Sequence, residues 1–119
     1  MSDFHLNFQM VSDFVDGAAR SVMSRLDHFT FKMLIDCLKS EDYEAASTAL
    51  DQIAKEKRTA AIPPVYFVSR AHPNMLVREK AMKTLESFDN AKEIARVTEG
   101  KSIEEAVKAL IEHFGNYRQ

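Results

Sequence analysis

From Phe4 to Leu26 apolar residues recur at Phe4, Phe8, Val11, Val15, Ala18, Val22 and Leu26, in steps of three and four. That spacing lines one side of an α-helix, so the pattern predicts a long N-terminal helix over residues 3–26. Phe14 and Met23 widen the stripe, while Asp13, Asp16, Arg20 and Arg25 mark its wet side. Gly17 interrupts it at a cost of about 1 kcal/mol relative to alanine, marking a close helix contact or a break. A stripe this long is an aggregation liability if left in water, so it belongs to the core or to a dimer seam.

Shorter periodic segments follow. Asp27 or Thr30 can cap a helix running to Lys39, with Phe31, Leu34, Ile35 and Leu38 inward and Cys37 among them. After the polar turn Ser40-Glu41-Asp42, a helix from Tyr43 to about Lys57 buries Ala46, Leu50 and Ile53. Pro63-Pro64 opens the next, because a first turn has no partner for the N–H that proline lacks. It ends near Ala71, before His72-Pro73-Asn74, the clearest break in the chain. Asn74 can cap a helix carrying Val77, Ala81, Leu85 and Phe88 inward. Asp89 or Asn90 starts another around Ile94 and Val97, stopped by Gly100. Ser102-Ile103-Glu104-Glu105 is a capping box, opening a last helix with Ile103, Ala106, Val107, Leu110 and Phe114 inward and Gly115 at its close. The expectation is one all-α domain over residues 1–119: the N-terminal helix, then helix pairs 29–57, 62–88 and 90–115, six or seven antiparallel helices in all. No long linker divides them.

Two of these pairs read alike. Ala46, Leu50 and Ile53 match Ala81, Leu85 and Phe88 at an offset of 35 residues, each set following a short apolar helix and a tight turn. Such a period marks helix-pair arrays. The stretch 62–88 resembles a HEAT repeat: a proline early in the first helix, a short turn, then Val77-Arg78 with Ala81 and Leu85 following. The turn holds His72-Pro73-Asn74 where that family usually has an aspartate, and the pair 29–57 lacks a Val-Arg step. The resemblance implies a short HEAT-like stack, acting as a scaffold or adaptor surface without chemistry; a compact helical bundle accounts for the same spacing by core packing alone.

Composition narrows the function classes. With 45% hydrophobic and 29% charged residues the 119-residue chain fits a globular domain, and three glycines with three prolines are too few for a many-turned β fold. A net charge of −2 argues against a dedicated nucleic-acid or anionic-membrane binder. Cys37 is the single cysteine, which fits a reducing compartment, and the first residues show neither the basic nor the apolar region of a signal peptide. The cytoplasm is the expected location, with no membrane span.

Candidate chemistry is sparse. His5, His28, His72 and His113 fall in different elements without the i, i+4 spacing of metal ligands, and no Cys-x-x-Cys exists. Gly100-Lys101-Ser102 lacks the upstream glycine and strand of a phosphate loop. No catalytic residue, cofactor site or metal site is assigned. The basic run Lys55-Glu56-Lys57-Arg58, with Arg70, Arg78, Lys80 and Lys83, forms an edge if the two pairs stack in register, and Lys55, Lys57, Arg58, Arg78 and Lys83 are the candidate partner-binding residues. The expected function is that of a non-enzymatic protein-binding adaptor or regulator, its partner another, acidic protein or a second copy through the N-terminal helix. The alternative is a DNA-binding regulator using a helix-turn-helix-like hairpin at residues 91–114. Glu104 and Glu105 at the start of the would-be recognition helix count against it.

Overall fold

A computed structural model describes Phe8 and residues 32–114. Among these residues every regular element is helical. Helical residues 32–37 lead through the turn at Ser40–Asp42 into α1, Tyr43–Glu56. A 3-10 turn, Thr59–Ala61, precedes α2, Ile62–Ala71. The remaining helices are α3, Met75–Glu86; α4, Ala91–Thr98; and α5, Ile103–Phe114.

Local chemistry sets these boundaries. Asp42 caps α1 by accepting from the Glu44 N–H, and Asn74 caps α3 by accepting from the Leu76 N–H at 2.9 Å. The capping box forms in both directions: the Ser102 hydroxyl accepts from the Glu105 N–H at 3.2 Å, and the Glu105 carboxylate from the Ser102 N–H at 3.3 Å. Gly100, at φ +72°, takes the left-handed conformation that stops α4. Asn90 stands at the N-cap of α4 but makes no side-chain cap bond; its amide donates instead to Glu93.

α2 is the centre of the packing. Every residue from Ile62 to Ser69 is buried, so this helix is enclosed all round rather than amphipathic. It packs against α3 on one flank and α5 on another; α1 lies on α3, and α4 on α5. Phe8 is helical, buried and 6.1 Å from Phe67 between ring centroids, so this residue of the N-terminal stripe joins the core on α2. The rest of the predicted helix over 3–26, with Phe31 and Gly115, lies outside the described residues.

A helix-pair array would stack second helices in succession, α1 on α3 on α5. α1 and α3 follow that order, but α5 packs chiefly on α2. The third pair therefore folds back on the buried helix instead of extending the row, and the architecture is a compact all-α bundle. The 35-residue offset is also one helical turn too long. The N-caps Asp42 and Asn74 stand 32 residues apart, as do Lys57 and Asp89, the non-glycine residues with positive φ among those described. Buried Ala46, Leu50 and Ile53 correspond, one residue short of that, to buried Val77, Ala81 and Thr84.

Three further expectations are corrected. Leu85 is half-buried, because Thr84 takes the inward position on α3. Ile103 is 39% exposed, Glu104 and Glu105 beside it in the first turn of α5 are exposed too, and burial on this helix begins at Ala106. Cys37 is exposed, the inward positions of its segment going to Ile35 and Leu38. No described helix is long and apolar enough to cross a membrane.

Candidate functional site

The five basic residues separate into two groups in the fold. Lys57 ends α1 in the left-handed region and its ammonium lies 3.8 Å from the Asp89 carboxylate. Arg58 reaches back to Glu56 at 3.4 Å, a carboxylate that also accepts from Gln52. Arg78 turns away from solvent and donates to the His72 carbonyl at 2.5 Å, satisfying the end of α2. Arg78 thus serves the bundle itself, while Lys57 and Arg58 stay at the surface in ion pairs with neighbouring carboxylates.

Lys55 and Lys83 remain on the outer surface. Their placement follows from the salt bridge between Lys80 on α3 and Asp51 on α1, at 2.8 Å. Lys55 stands one turn beyond Asp51 and Lys83 one turn beyond Lys80, so both lie further along the same rim where α1 meets α3. The edge is thus smaller than the sequence run implied. It is also mixed in sign, since exposed Glu79 and Glu86 flank Lys83 on α3.

Beside this rim lies a feature that charge and motif searching passed over. α3 turns Met75, Leu76 and Met82 into solvent, at 59%, 56% and 48% exposure, against values near zero for its inner Val77 and Ala81. Met75, Glu79, Met82 and Glu86 recur at helical steps of four, three and four, giving one outward stripe with Leu76 and Lys83 along its border. The available signal was a second apolar row on a helix whose inner row was already assigned. Scattered exposed apolar residues are ordinary, but three on one 12-residue helix make a patch.

The turn that presents this face is held by a buried polar network. His72 is fully buried between the two interhelical turns. Its Nδ1 accepts from the Asn74 N–H at 3.0 Å, which leaves Nε2 as the protonated nitrogen, donating to the Ser40 carbonyl at 2.8 Å. Burial holds its pKa below the usual histidine value, the bond to Ser40 and the charge of Glu41 opposing that shift and Arg78 adding to it.

The α4–α5 hairpin carries different chemistry. Glu93 on α4 bonds to the His113 ring on α5 at the surface; that hydrogen bond, then the one from Asn90, holds the Glu93 carboxyl below the usual range. α5 opens with Glu104 and Glu105 exposed, where a DNA-reading helix needs donors and positive charge. Among the described residues no group of three or more acidic, histidine or cysteine side chains is placed to hold a metal. His5 and His28 lie outside them. No protein-family model matches the chain, and no curated protein or solved structure matches it.

Proposed function

We propose that the protein is a protein-binding module whose contact surface is the outer face of α3, with the α1–α3 rim beside it. The carrying observation is the row of exposed Met75, Leu76 and Met82 on a helix whose inner face is otherwise filled. Methionine suits such a role, because its unbranched thioether adapts to the shape of an apolar partner. Lys55 and Lys83 meet carboxylates flanking the partner's apolar anchor. The mixed signs around them leave apolar contact as the main source of affinity, with salt affecting mostly the rate of association.

Site-specific photo-crosslinking in the native cell tests the proposal. A crosslinking amino acid at position 82 is expected to capture another protein, while the same group at exposed position 95 on α4, away from α3, captures none. Met75→Gln with Met82→Gln, introduced alongside a crosslinker at position 83, is expected to abolish that adduct. Equal labelling from 95 and 82, or adducts only with a second copy of the chain, would overturn it. So would clear retardation of duplex DNA by the unmodified protein at low salt.

A further inference from the structure

Independently of the docking face, the bonding around His72 carries a regulatory consequence. The ring joins two turns distant in sequence, Ser40 before α1 and Asn74 before α3, and both nitrogens are used in one tautomer. The next bonds continue into α3: Asn74 caps the Leu76 N–H, and Arg78 closes over the His72 carbonyl. We propose that His72 is a pH-operated latch, whose protonation at Nδ1 forces it off the Asn74 N–H and loosens the start of α3 from the turn before α1.

The reason is donor–acceptor arithmetic. Neutral imidazole offers one donor and one acceptor, and among the described residues Ser40 supplies one carbonyl and Asn74 one N–H to match. Imidazolium has two donors, so the proton taken from water at Nδ1 would point at another N–H inside a buried site. Among the described residues the charged groups facing the ring are Glu41, from the turn before α1, which favours the imidazolium, and Arg78, from α3, which disfavours it. Burial outweighs both, and the site prefers the neutral ring. The sign follows: below about pH 6.5 the unfolded chain binds a proton that the latched state resists. The stability due to neutral His72 is therefore complete above that pH and is lost as pH falls through it.

The full chain with 15N-labelled histidine tests this by NMR across pH 8 to 5. His72 is expected to show an unprotonated Nδ1 and a protonated Nε2, with a midpoint below about 6.5. Its titration should coincide with loss of exchange protection at the Asn74 and Leu76 amides, after correction for intrinsic exchange. In urea unfolding, the folding constant of the parent should fall relative to that of His72→Gln by up to about tenfold per pH unit below 6.5. A protonated Nδ1 at neutral pH, a midpoint at or above 6.5, or parallel pH profiles for parent and His72→Gln would overturn the latch. The spectra of the parent decide the matter even where the variant does not fold.

Discussion

α1 and α3 lie side by side, each opened by a side-chain N-cap, and spend their apolar residues oppositely. On the inner side α1 buries Ala46, Ala49, Leu50 and Ile53, whereas α3 buries Val77, Ala81 and Thr84. On the outer side, positions 31 residues apart hold Glu44, Thr48, Asp51 and Lys55 in α1 but Met75, Glu79, Met82 and Glu86 in α3. α1 is dressed for water on one face and for the core on the other. α3 fits small inner residues against enclosed α2 and shows large apolar ones to solvent. The fold explains the first arrangement and the inner half of the second, and it leaves the exposed outer half of α3 without a packing reason.

Truncation of inner residues gives the largest test of that contrast. Leu50→Ala removes a fully buried side chain and is expected to cost about 2–5 kcal/mol in urea unfolding. Leu85→Ala, at a half-buried site near the end of α3, should cost less, about 1–2 kcal/mol. Equal losses would mean that Leu85 is packed as fully as Leu50 and would return it to the inner face of α3.

The helix ends offer a smaller test. Lys57, at φ 53°, closes α1 in a conformation that costs a residue with a Cβ about 1–2 kcal/mol. Lys57→Gly relieves it, and loses only an exposed ion pair with Asp89, a contribution between about zero and 1 kcal/mol. A net gain of about 0.5–1 kcal/mol is expected in chemical denaturation. A loss would show that the Lys57–Asp89 pair, and not the backbone, governs how the ends of α1 and α3 are held together.

These elements also mark what the sequence could and could not reveal. The start of α1 at Tyr43, the Asn74 cap and the Ser102–Glu105 box were legible because each depends on bonds between residues two or three apart. The repeat offset was misread because apolar positions shifted by one helical turn fall on the same face; only the caps distinguish the alternatives. Leu85, Ile103 and Cys37 were misplaced for a related reason. Periodicity gives a helix face, but how deeply each residue sinks depends on what packs over it. The basic edge failed at Arg78 because a guanidinium's destination, here the His72 carbonyl, is a tertiary choice. The methionine face was visible as a second apolar row and lacked only the knowledge of which row α2 would cover.

The smallest expected stability change tests the central contrast most directly. Met75→Gln and Met82→Gln together should leave the urea midpoint and helicity almost unchanged, within about 0.5 kcal/mol per site, because both side chains are about half exposed and outside the core. Alongside Leu50→Ala in the same buffer, that result would place the methionines outside the folding requirement. A loss above about 2 kcal/mol from the double change would instead make them part of the packed structure, and the outer face of α3 would have no surplus to explain.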